Sequence, residues 1–103
     1  MLMHLYNIIR NEFDLSVVDV SINAGNNRLE ISVFNSLFFY LHIYKRDFEV
    51  YMVVENGTIS SIIGGREIRA AASDDAIITA IEYIIEYSRL RLGLKYFDAG
   101  VRQ

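Results

Sequence analysis

Apolar residues first recur at helical spacing, at Leu2, Leu5, Ile9 and Phe13, with Tyr6 and Ile8 widening the stripe and Asn7, Arg10 and Asn11 opposite it. This predicts a short amphipathic helix over Leu2 to Phe13. No side chain caps its start, so packing on the rest of the chain must hold it. Beyond Asp14 the period falls to two: Val18, Val20 and Ile22 alternate with Asp19, Ser21 and Asn23. Ala24 to Asn27 supply residues that tolerate a positive φ, so a hairpin turn is expected there. The return strand turns Leu29, Ile31 and Val33 inward and Arg28, Glu30 and Ser32 outward, and a three-residue break at Phe34, Asn35 and Ser36 keeps the next inward set on the same side.

The segment Leu37 to Glu55 organises the remainder. Its two alternating runs are separated by Lys45, Arg46 and Asp47. Leu37, Phe39, Leu41 and Ile43 fall on one face and Phe38, Tyr40, His42 and Tyr44 on the other. A two-residue loop at Lys45-Arg46 sets His42 opposite Glu49 and Tyr40 opposite Tyr51. Asn56-Gly57 between alternating runs favours a type I′ hairpin. With two loop residues, Val54 faces Ile59, Met52 faces Ser61, Val50 faces Ile63 and Tyr51 faces Ile62, and a one-residue slip would turn every inward residue outward. Gly64-Gly65 marks a bulge or a bend, after which Arg66 to Ala71 continues the strand or forms a sixth.

From Ser73 the helical period returns. Ser73 caps, Asp74 and Asp75 sit in the first turn, and Ile77, Ile81, Ile84, Ser88 and Leu92 share a stripe. Arg89 and Arg91 precede Gly93, where a C-cap with Leu94 is expected, giving a helix of about 20 residues. Tyr96 and Phe97 in the tail are expected to dock. The whole is an α+β fold in one domain over residues 1–103: a five- or six-stranded antiparallel meander, a long C-terminal helix across one face and a short N-terminal helix.

Composition narrows the function. The chain has 103 residues, 52% of them hydrophobic, a net charge of −3 and neither Cys nor Pro. Scattered charges without a basic cluster argue against a dedicated nucleic-acid binder. Without Cys there is no disulfide, thiol chemistry or thiolate metal site, which fits a cytoplasmic location. No apolar run reaches the roughly 18 residues of a membrane span. Plentiful Ile, Tyr, Phe and Asn, whose codons are rich in A and T, suggest an A/T-rich genome such as that of a virus or mobile element.

Two His, His4 and His42, do not supply the three or four ligands of a metal site, and no cofactor is expected. Nucleophile-elbow and phosphate-loop motifs are absent. An imidazole–carboxylate contact between His42 and Glu49 could orient a base, but the pair reads better as half-exposed surface. Asp74-Asp75 complement the helix dipole.

The outward sheet face is the best candidate site. It is expected to gather Phe38, Tyr40, His42, Tyr44, Glu49, Tyr51, Val53 and Ile62 beside Arg28 and Glu30, an aromatic patch with a rim of both charge signs. Such a surface suits a protein partner or a second copy, as a homodimer, unless the first helix or the Tyr96-Phe97 tail covers it. The alternative is a single-stranded nucleic acid or small ligand stacked on the rings. In size, acidity and lack of catalytic motifs the chain is similar to small virus-encoded inhibitors of host defence such as anti-CRISPR proteins. That resemblance implies a non-enzymatic protein-binding role.

Overall fold

In the computed structural model, which describes the backbone of residues 1–101 and the side chains of residues 1–93, the amphipathic N-terminal segment is helix α1 (Leu2–Glu12). Leu5 and Ile9 are its fully buried residues, and Leu2, Tyr6, Ile8 and Phe13 pack around them. At Phe13 the backbone turns extended.

The alternating segments form β1 (Val18–Asn23), β2 (Arg28–Val33), β3 (Leu37–Tyr44) and β4 (Asp47–Val53), paired antiparallel in sequence order. Their turns explain the registers. Asn23 accepts the Asn26 N–H through its side chain, and Asn27 takes a left-handed φ of 51°. Across that turn Asn23 pairs with Arg28. Phe34 and Asn35, at φ 52° and 54°, make the three-residue connection that sets Val33 opposite Leu37. Lys45, at φ 40°, turns the two-residue loop, so His42 faces Glu49 and Tyr40 faces Tyr51 as the spacing predicts.

The register beyond β4 departs from expectation. Asn56 and Gly57 do take the paired positive φ values, 65° and 74°. However, Glu55 joins the turn: the Val54 N–H bonds the Thr58 carbonyl, and the Thr58 hydroxyl donates to the Glu55 carbonyl. The loop therefore has three residues, and β5 (Ile59–Ser60) is slipped by one, with Val53 opposite Ile59 and Met52 opposite Ser60. Ile59 is consequently outward and 47% exposed. A bend at Ser61 restores the alternation, so that in β6 (Ile62–Ile63) Ile63 is fully buried. Burying an Ile is worth about 1.5–3 kcal/mol, so the bend recovers on Ile63 what the slip forfeits on Ile59.

Gly64 and Gly65, at φ 61° and 84°, form a two-residue turn rather than a bulge. They lead into a separate strand, β7 (Arg66–Ala71), which pairs with β6. β7 also returns to the free edge of β4, with Phe48 opposite Ala70 and Val50 opposite Ile68. Among the described residues the sheet has seven strands in the order β1-β2-β3-β4-β7-β6, and β5 shares the β4 edge with β7.

Helix α2 (Asp74–Val101) starts where Ser73 predicts, its hydroxyl accepting the Ala76 N–H. Ile77, Ala80, Ile81, Ile84, Ile85 and Ser88 are buried. The helix does not stop at Gly93 but runs to Val101. An internal Gly costs a helix about 1 kcal/mol without terminating it, and Leu94 and Lys95 beyond it are good helix formers. Both helices and the inward strand residues form one core cluster, so α1 and α2 cover the same sheet face. The His4 ring meets Asp74 at 2.9 Å, beside the start of α2.

Candidate functional site

The paired registers arrange the opposite sheet face in rows. Asp19, Ser32 and Phe38 form one across β1 to β3; Ser21, Glu30, Tyr40 and Tyr51 a second across β1 to β4; and Asn23, Arg28, His42, Glu49 and Arg69 a third across β1 to β4 and β7. Tyr44 stands on β3 beyond His42. The buried residues of α1, Leu5 and Ile9, lie in the core cluster against the inward strand residues, so α1 does not cover this face. The predicted docking of Tyr96 and Phe97 lies outside the described residues.

The aromatic half is tied together by hydrogen bonds. The Tyr51 hydroxyl donates to Glu49 Oε1 at 2.7 Å and meets the Tyr44 hydroxyl at 2.8 Å. Those bonds, with burial, push the Tyr51 phenol well above its ordinary range. His42 stacks on Tyr44, with ring centroids 5.9 Å apart, and meets Tyr51 edge-on at 5.6 Å. Burial, then the positive charge of Arg28, hold its pKa below the usual imidazole value, against an opposing pull from Glu49. Glu49, on a face expected to be half exposed, is only 7% exposed.

Arg28 lies 3.8 Å from the Tyr40 ring centroid and donates to Glu30 at 2.8 Å. Asn23 donates to the same carboxylate oxygen, and these hydrogen bonds keep the Glu30 carboxyl below its ordinary pKa. Towards the β1 edge, Asp19, Ser21, Ser32, Phe38, Tyr40 and Val53 border an open groove of about 450 Å³. Phe38 is 49% exposed and Tyr44 40%.

Seven of the eight expected site residues, Phe38, Tyr40, His42, Tyr44, Glu49, Tyr51 and Val53, are thus brought onto neighbouring positions of β3 and β4. Ile62 is not. It was expected opposite Tyr51, but the three-residue loop and the bend at Ser61 carry it to β6, where it pairs with Glu67 of β7 instead of with β4. His42 and Glu49 are Cα partners, yet their side chains share no hydrogen bond: Tyr51 takes the Glu49 oxygen and aromatic rings hold the imidazole.

Ile59 and Arg69 were missed by sequence reasoning. Ile59 reaches this face through the extra loop residue, which the Asn-Gly pair does not announce. Arg69 reaches it because β7 pairs with β4; it sits 5.7 Å from the Tyr44 ring centroid. Among the described residues no group of three His, Cys, Asp or Glu is placed to hold a metal ion, and no helix is long and apolar enough to cross a membrane. No family model, curated protein or solved structure gives a significant match to the chain.

Proposed function

We propose that this chain is a non-enzymatic protein-binding module that uses the outer sheet face as its contact surface, with a second copy of itself as the first partner. The observation that carries the reading is the Tyr44–Tyr51–Glu49 hydrogen-bond chain beside exposed Phe38 on a face opposite both helices. Ordered rings lose little entropy on contact, and amphipathic Tyr with a charged rim suits a protein interface. Binding is favoured over catalysis because the imidazole and carboxylate of the His42–Glu49 pair share no hydrogen bond and Glu49 is already engaged by Tyr51. Stacked bases are a poorer fit: Arg28 already occupies one face of Tyr40, and Asp19 and Glu30 on the groove repel phosphate.

The lack of Cys suits a reducing cytoplasm, and the resemblance to small virus-encoded inhibitors makes a host factor the alternative protein partner. Sedimentation velocity tests the self-association. The wild-type chain is expected to sediment as a dimer, and Phe38→Glu, with an unchanged circular dichroism spectrum, as a monomer. A wild-type chain that stays monomeric across the micromolar range overturns the homodimer.

A further inference from the structure

The other open feature of the sheet is the edge of β7. Ala72 N–H bonds the Arg46 carbonyl at 2.7 Å, so by antiparallel alternation Ile68 and Ala70 also direct their backbone groups to β4. Glu67, Arg69 and Ala71 therefore direct theirs away from it. β6 is two residues long and pairs with β7 only at Arg66 and Glu67. Beyond it, the N–H and C=O groups of Arg69 and Ala71 have no hydrogen-bond partner among the described residues, and both residues are exposed. Edge groups of this kind accept a further strand.

Two surfaces flank that edge. On the helix side, Ile68 and Ala70 with Ala76, Thr79 and Ala80 of α2 and Phe48 line a groove of about 330 Å³, whose rim also carries the charges of Arg66, Glu67 and Asp75. The small residues leave room there for apolar side chains. On the outer side, Lys45, Arg46 and Arg69 surround a cleft beside Tyr44, with Asp47 the one carboxylate on it. None of the three cations forms an ion pair among the described residues. On a chain of net charge −3 this is a local excess of positive charge.

We infer that the β7 edge binds an extended peptide by strand addition, and that this peptide alternates apolar and acidic residues. The alternation follows from the strand period: one set of side chains enters the groove under α2 while the other meets Arg69, Arg46 and Lys45. A second copy pairing through β7 fits less well, because it would bring two of these cationic clusters together across the new edge. The inference adds a surface to the protein-binding reading and does not depend on the outer face being an interface.

The test uses the whole chain and a capped heptapeptide alternating Val and Glu, with titration followed by amide NMR and fluorescence anisotropy. Saturable binding is expected, with the largest shifts at the Arg69 and Ala71 amides. Affinity is expected to fall at least tenfold for Arg69→Glu, for Lys45→Glu combined with Arg46→Glu, for the peptide N-methylated along its pairing edge, and for its Val–Lys counterpart. Phe38→Glu, at the far end of the sheet, is expected to leave it unchanged, which separates failure here from failure of the outer-face dimer. No saturable binding, equal affinity for the Val–Lys peptide, shifts centred on Phe38 and Tyr40, or β7 amides already protected in a peptide-free dimer would each overturn the inference.

Discussion

Replacing Tyr51 by Phe keeps the ring and deletes only the hydroxyl that joins Tyr44 to Glu49. Two hydrogen bonds disappear, at 2.7 Å to the carboxylate and 2.8 Å to the second phenol. A hydrogen bond to a charged group contributes about 1.5–3 kcal/mol, and one partner left unsatisfied carries its own desolvation penalty. Glu49 is 7% exposed, so water only partly replaces the lost donor. Tyr44 is 40% exposed and turns to solvent at little cost. The expected loss for Tyr51→Phe is therefore about 1.5–2 kcal/mol, against roughly 0.5 kcal/mol for Tyr44→Phe. For a domain of this size that lowers the melting temperature by about 6–15 °C. Urea denaturation at pH 7 measures it, and a double-mutant cycle with Glu49→Gln isolates the pair, with a coupling of at least about 1 kcal/mol expected. A Tyr51→Phe chain within about 0.5 kcal/mol of wild type, or a coupling near zero, would refute the idea that the outer face is ordered by this chain of hydrogen bonds.

Three further outcomes are expected. The His42 pKa lies below its ordinary 6.5, so the unfolded chain takes up the proton first as pH falls. The stability this gives is complete above about 6.5 and is lost as pH drops through the folded value; urea midpoints at pH 7.5 and 5.0 should show a fall that His42→Gln removes, and equal falls in both chains would refute it. A Cβ on Gly64 would meet the Tyr83 hydroxyl at 2.6 Å, whereas one on Gly65 meets nothing within 4 Å. Since both take positive φ, Gly64→Ala should destabilise by about 1 kcal/mol more than Gly65→Ala in urea titrations, the excess being the loss of the Tyr83 hydrogen bond to the Ile63 carbonyl. The Ser88 hydroxyl is buried without a hydrogen-bond partner among the described residues, so Ser88→Ala should raise stability by roughly 1 kcal/mol; a loss in the same assay would mean that the hydroxyl is satisfied.

What could be read from the residues was whatever a short loop leaves no freedom to change. Two loop residues at Lys45-Arg46 and three at Phe34 to Ser36 allow one inward set each, so the registers from β2 to β4, and with them seven site residues, follow from counting. The Asn56-Gly57 pair determines its own dihedral angles but not whether Glu55 enters the turn, and that single residue decides where Ile59 and Ile62 lie. The edge chosen by β7 is a long-range pairing, selected by packing of Ile68 with Phe48 and Val50 rather than by any local signal, so Arg69 could not be placed. Gly93 does not end α2 for a related reason: a helix with good formers on both sides passes through a glycine that would end a weaker one.

Because β5 and β7 divide one edge of β4, the sheet is assembled from pieces of unequal persistence. The strands β1 to β4 close by near-neighbour turns, while β7 must bring Ala71 back to Asp47 and pairs, besides β4, only with a two-residue strand among the described residues. Loop closure of that kind is slow and its rupture comparatively easy. The segment from Glu55 to Ala71 thus forms the natural unit of subglobal opening, its amides exchanging with solvent before those of β2 and β3. Each such opening would also uncover the second edge of β4, making the middle of the sheet, rather than its rim, the place where this protein is most exposed to pairing with the wrong strand.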